Sequence, residues 1–186
     1  MNQPEMWPEE AIWDYLIRRK NKIQAVVVTG GEPTLQTDLL DFLRKLQGLG
    51  MRVKLDTNGS RPSVLIEVVA NQLADYVALD VKHALPRYEE ACGCAINEND
   101  LKGCIEILKN GSVDYEFRTT VVPAFHNINS IRDIARLLAG GKRYFLQRFQ
   151  PQNAMSSRLR DTSPPDDAFL ETCREAASHW IHTEVR

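Results

Sequence analysis

Short, β-branched apolar runs take turns with longer amphipathic stretches, and no linker divides them. Residues 8–19 read as a helix, with Pro8 at the first helical position and Glu9 and Glu10 in its first turn. Residues 23–29 are almost continuously apolar, as suits a strand buried on both faces. Over 38–48, Leu39, Phe42, Leu43 and Leu46 share one helical stripe, which Gly48 and Gly50 end. A strand over 53–57, a helix over 62–71 and a strand over 76–81 follow. Beyond a looser stretch, 83–98, Leu101, Cys104, Ile105 and Leu108 give the next helical stripe, stopped at Asn110-Gly111. Residues 115–122 form a fourth strand, closed by Pro123. Ser130-x-x-Asp133 resembles a capping box ahead of Ile131, Ile134, Ala135 and Leu138. A fifth strand is expected over 144–149, a polar loop over 153–162, and a last helix over 163–182 with Ser163 as its cap and Pro164 next. This alternation predicts an α/β fold with a parallel sheet. Right-handed crossovers make it a partial barrel or a doubly wound sheet. The length of 186 residues suits one domain, 1–186.

Charge and apolar content exclude several functions. Lys and Arg number 23 against 25 Asp and Glu, a net charge of −2, so no basic footprint for nucleic acid exists. The densest apolar run, 25–28, is far too short to span a bilayer. The acidic N-terminus lacks the basic start of a secretory signal, and a cytoplasmic protein is expected. The cysteines, Cys92, Cys94, Cys104 and Cys173, contain no C-x-x-C, so they read as reduced thiols, with Cys104 facing the core. His126 reads as incidental. His179 and His182 read as partners of a helix C-terminus. Trp7 and Trp13 read as packing residues.

The polar residues that strands do not need fall at strand C-termini. The first strand ends in Thr29-Gly30-Gly31-Glu32-Pro33. The second ends in Asp56-Thr57-Asn58-Gly59, and the third in Asp80-Val81-Lys82. Arg118 lies in the fourth, and Gln147-Arg148-Phe149-Gln150 ends the fifth. Ligands of parallel α/β folds bind at that edge. Gly30 and Gly31 permit positive φ and close backbone approach. Pro33 biases Glu32 to an extended conformation, from which it offers a carboxylate or a carbonyl to a cationic group, or else stands solvated in a plain turn. Asp56 and Asp80 could hold a cation jointly, orient hydroxyls, or simply cap turns. Lys82 could pair with a carboxylate or, if buried, act as a Schiff-base amine. A buried Arg118 wants an anionic or hydroxyl partner.

Five blocks in order resemble the radical S-adenosylmethionine superfamily: Thr29-Gly-Gly-Glu-Pro-Thr-Leu-Gln36, Lys54-Leu-Asp-Thr-Asn-Gly-Ser60, Tyr76-Val-Ala-Leu-Asp-Val-Lys82, Tyr115-Glu-Phe-Arg-Thr-Thr-Val-Val-Pro123 and Tyr144-Phe-Leu-Gln-Arg-Phe149. Within it, the similarity is greatest to activating proteins of anaerobic ribonucleoside-triphosphate reductase, near the glycyl-radical activases. The resemblance implies a partial (βα)6 barrel. It implies S-adenosylmethionine across the strand ends, cleaved reductively by a [4Fe-4S] cluster to a 5′-deoxyadenosyl radical. It implies a glycyl-radical enzyme and an electron donor as partners. Carried over, Gly30, Gly31 and Glu32 would hold the methionyl amino group. Asp56, Asp80 and Lys82 would surround the methionyl carboxylate and ribose. Asp56, Thr57 and Asp80 hold a monovalent cation in some relatives. Arg118 matches a ligand-contacting arginine, and Gln150 stands where some relatives have a histidine.

One departure is large. The family's three cluster cysteines, spaced C-x-x-x-C-x-x-C, are absent, and Met1-Asn-Gln-Pro-Glu-Met6 resembles the segment that follows the third of them. The expectation is a barrel lacking its first strand and cluster loop, inactive by itself. If so, 23–29 becomes a sheet edge open to pairing with another chain. The alternatives are a non-catalytic nucleoside-binding module and an aldolase-like lyase using Lys82.

Overall fold

The computed structural model of the protein describes residues 7–154 and 156–186. Six strands form one sheet: β1 (Ala25–Val28), β2 (Arg52–Thr57), β3 (Tyr76–Asp80), β4 (Asp114–Val121), β5 (Tyr144–Arg148) and β6 (Thr183–Val185). Between and around them run α1 (Glu9–Arg19), α2 (Leu39–Gly48), α3 (Pro62–Ala70), α4 (Tyr88–Cys92), α5 (Glu98–Asn110), α6 (Ile128–Leu137), α7 (Ser157–Arg160) and α8 (Asp167–Ser178). No helix among the described residues is long and apolar enough to cross a membrane.

The strand order follows the sequence, β1 through β6, and every pairing is parallel. Each crossover therefore steps one strand in the same direction. Right-handed crossovers then lay the intervening helices on one face of the sheet. A doubly wound sheet needs a reversal of order, and this sheet has none. The result is an open arc of a barrel, not closed between β1 and β6.

Burial follows the pleat. Leu55, Val77, Leu79, Phe117 and Leu146 are fully buried, in one core with Leu43, Leu46, Leu65, Leu108 and Ile134 of the helices. The alternate positions carry Lys54, Asp56, Tyr76, Asp80, Glu116 and Arg118. A parallel sheet is ordinarily covered on both faces. Here the helix-free face is charged, and it is the face that carries the candidate site.

Several expectations change. The strand expected over 23–29 is only four residues long and is not buried on both faces. Ala25 is exposed and Val27 is 52% exposed, because the helices lie on the other side and β1 pairs only with β2. Pro8 stands one position before α1 rather than inside it. The capping box is Asn127 with Ser130, not Ser130 with Asp133. Ser130 N donates to Asn127 Oδ1 at 3.0 Å and Asn127 N to Ser130 Oγ at 2.9 Å, so α6 starts earlier.

The last helix is shorter than 163–182. Its cap is Asp166, not Ser163, because Pro164 and Pro165 keep the chain extended, and Phe169 N donates to Asp166 Oδ1 at 2.7 Å. β6 was not expected at all. The stretch 153–162 contains the short helix α7. His179 lies at the end of α8, its Nδ1 2.9 Å from Glu175 O, whereas His182 lies beyond the helix and pairs with Glu184. Trp13 packs on Phe42, with ring centroids 4.9 Å apart, but Trp7 is 60% exposed.

Candidate functional site

The strand registers bring the singled-out residues together. Asp80 of β3 stands opposite Arg118 of β4, and Asp56 of β2 stands opposite Ala78. Arg118 Nε donates to Asp80 Oδ1 at 2.8 Å. Its Nη1 reaches across Ala78 to Asp56 Oδ2 at 3.1 Å. On β3, between the two strands, Asp56 faces only the methyl group of Ala78, which leaves room for the reach. Arg118 thus has its anionic partners inside the chain. Burial opposes its charge, but the two aspartates outweigh that and raise its pKa. Asp56 Oδ1 is buried and has no hydrogen-bond partner among the described residues; Lys54 Nζ stands 3.7 Å away as an ion pair.

A second layer lies one pleat below. Glu116, fully buried, accepts from Lys54 Nζ at 3.3 Å, Tyr76 OH at 3.0 Å and Arg186 Nη1 at 3.1 Å. Burial pushes its carboxyl up, but these partners outweigh burial and hold it below the usual range. Burial and Glu116 push the Tyr76 phenol up to about 12. Sequence reading missed Glu116 and Lys54. The available signal was period two: each precedes a singled-out charge by two residues and so shares its face.

Glu32 is not solvated. Its Oε1 accepts from Thr34 N at 3.1 Å, Thr34 Oγ1 at 2.5 Å and Thr57 Oγ1 at 2.7 Å, and its Oε2 accepts from Asn58 N at 2.6 Å. The carboxylate ties the end of β1 to the end of β2, and Thr57 spends its hydroxyl there. The preceding turn is open instead. Gly30 has φ +140°, which side chains rarely adopt, and a Cβ built on Gly30 or Gly31 meets no atom of the described residues within 4 Å.

Lys82 is exposed, whereas a Schiff-base amine is activated by desolvation, so the lyase alternative loses its support. Lys82 borders two cavities. One, of about 190 Å³, runs from Asp80 and Arg118 to an apolar wall of Val122, Phe125 and Phe149. The other, of about 340 Å³, is lined by Asn58, Ser60, Lys82, Cys92, Cys94 and Asp100 among others. Gln150 turns away to local partners, accepting from Gln152 and Asn153.

His126 is not incidental. Its Nδ1 accepts from Val122 N at 3.0 Å and its Nε2 lies 2.9 Å from Lys82 O, which assigns the proton to Nε2. Its ring stacks on buried His83 at 5.1 Å. The pair latches the exit of β3 to the exit of β4. Burial drives the His126 pKa from 6.5 down to about 4. Between those values the unfolded chain holds the proton and the folded chain does not, so stability rises with pH. The contribution is complete above about pH 6.5 and is lost as pH falls toward 4, roughly 3 kcal/mol in all. Urea unfolding at pH 7 and pH 4.5 checks this. The wild type should lose more stability than His126→Gln across that interval, and equal losses would contradict the assignment.

A model of the radical SAM superfamily matches residues 2–138, most of the chain. The chain belongs to the radical SAM superfamily. It is 34% identical over 166 residues to a candidate glycyl-radical enzyme activating enzyme of Methanocaldococcus jannaschii, covering 87% of this chain and 69% of that protein. It is 26% identical over 155 residues to 7-carboxy-7-deazaguanine synthase of Thermococcus kodakarensis, covering 82% of this chain and 59% of that one. The fold matches a domain of a pyruvate-formate lyase-activating enzyme from Bacteroides vulgatus, with TM-score 0.69, 19% identity and coverage of 87% of this chain and 98% of that domain. The radical SAM sheet described above is thus the partial barrel of the family.

Membership implies S-adenosylmethionine and a [4Fe-4S] cluster. The residues present fit the first. Among the described residues, Asp56 Oδ1 is a buried acceptor without a hydrogen-bonded donor, and no atom stands within 4 Å of where a side chain on Gly30 or Gly31 would begin. They do not fit the second. Among the described residues no group of three His, Cys, Asp or Glu is placed to hold a metal ion, and Cys104 and Cys173 are buried away from solvent.

Proposed function

We propose that the strand ends of this chain bind S-adenosylmethionine, in a domain spanning 1–186 of a cytoplasmic activating enzyme for a glycyl-radical protein. The observation that carries this reading is Asp56 Oδ1, a buried acceptor beside a guanidinium-bridged aspartate pair. A desolvated acceptor without a donor is costly, and a ligand hydroxyl or ammonium would relieve that cost. In this reading the backbone of Gly30, Gly31 and Glu32 takes the methionyl amino group. Asp56, Asp80 and Lys82 surround the carboxylate and ribose. Thr57 acts by fixing Glu32, and Arg118 by bridging the two aspartates. The apolar wall of Val122, Phe125 and Phe149 suits a base.

The five sequence blocks favour anaerobic ribonucleoside-triphosphate reductase as the target, with a separate electron donor. The similarity to a glycyl-radical activating enzyme supports the broader class of partner. The cysteines favour a second reading for the chain by itself, binding without cleavage. Iron and sulfide analysis after anaerobic reconstitution should find no stoichiometric cluster, and dithionite should release no 5′-deoxyadenosine. A stoichiometric cluster would overturn that.

Equilibrium dialysis tests the ligand class. S-adenosylmethionine should bind roughly tenfold or more tightly than adenosine, since the charged methionyl groups add charge-assisted hydrogen bonds. Equal affinity would reduce the site to a nucleoside pocket.

A further inference from the structure

Two sulfur atoms meet at the end of α4. Cys92 is the last residue of that helix. Gly93 follows in the left-handed conformation, φ 73°, which reverses the chain so that Cys94 folds back over Cys92. The two Sγ atoms lie 3.7 Å apart, in van der Waals contact. Cys94 is exposed and Cys92 half-buried, and both line the cavity of about 340 Å³. The contact with Cys92 holds the Cys94 thiol above its ordinary pKa, while the nearby Lys82 ammonium favours the thiolate. The remaining thiols differ. Cys104 and Cys173 are buried, and burial raises them to about 12 and about 11. The chain therefore has one accessible pair and two inert thiols.

We propose that Cys92 and Cys94 form a dithiol that exchanges with small-molecule disulfides of the glutathione type, closing a Cys92–Cys94 bond at the cavity rim. One cysteine, as thiolate, attacks a sulfur of the small disulfide; that S–S bond breaks and one small thiolate leaves. The neighbouring cysteine, losing its proton, attacks the protein sulfur of the mixed disulfide; the bond from that sulfur to the small thiol breaks, the Cys92–Cys94 bond forms, and the second small thiolate leaves. The two small thiolates take up the two protons. Two protein thiols are oxidised to one disulfide, and one small disulfide is reduced to two thiols. The sulfurs, already in contact at 3.7 Å, close to a bond of about 2.05 Å. The three-residue ring is tight, so the bond is labile and its formation reversible.

The test uses the reduced full chain under native conditions with oxidised glutathione, followed by alkylation and peptide mapping by mass spectrometry. The expected result is loss of two thiols, an internal disulfide within the Cys92–Cys94 peptide, and full reversal by dithiothreitol. Cys104 and Cys173 should stay reduced. Cys92→Ser and Cys94→Ser should each stop at a mixed disulfide, with roughly tenfold or more glutathione adduct than the wild type, because the intramolecular second step is lost. Stable adducts on both wild-type cysteines, no reaction, or oxidation of Cys104 at the same rate would each overturn the proposal.

Discussion

Replacing Arg118 by leucine is expected to destabilise the fold by roughly 3 kcal/mol at neutral pH. Removing one partner of a buried ion pair leaves uncompensated charge behind. Here it leaves two aspartates, with Glu116 Oε1 only 3.9 Å from the lost guanidinium. Lys54 and Arg186 would remain, and both already serve Glu116. Arg118→Lys should recover only part, since one ammonium cannot make the two-sided fork. Urea unfolding of the three proteins at pH 7 checks this. A loss under about 1 kcal/mol for Arg118→Leu would contradict the bridging role.

Glu32→Ala should be comparably severe, about 3–5 kcal/mol. It removes an acceptor from two backbone N–H groups and two hydroxyls at the β1–β2 exit, and buried donors without an acceptor carry their full desolvation cost. Glu32→Gln should retain about half, because it keeps one acceptor oxygen but loses the charge. Denaturant midpoints at constant slope measure both. An effect below about 1 kcal/mol for alanine would mean that the carboxylate is free for a ligand instead.

The sheet was legible because each strand and helix announces itself locally. Val77, Leu79, Phe117 and Leu146 are apolar where helices cover them, and the helices carry matching stripes. β6 has three residues and no such signal; it is held by its pairing with β5, which is not a local property. The site was legible in part for the same reason. Arg118 in an apolar strand calls for an anion, and Asp56 and Asp80 call for a cation. That they answer one another depends on the register Asp80 opposite Arg118, which spans 38 residues. His126 hid its role likewise, since Lys82 O is 44 residues away in sequence. The contact between Cys92 and Cys94 depends on the left-handed turn at Gly93.

In the proposed function the strand ends, opened by the glycine turn, receive S-adenosylmethionine. Gly31→Val separates binding from folding. A Cβ there meets no atom of the described residues within 4 Å and its φ is outside the left-handed range, so stability should change by no more than about 0.5 kcal/mol. The branched side chain would nevertheless stand in the space the ligand must enter. Calorimetric titration with S-adenosylmethionine should give saturable binding for the wild type and a loss of at least about a hundredfold for Gly31→Val, with coincident unfolding curves. Unchanged affinity in Gly31→Val, or no binding by the wild type, would contradict the account.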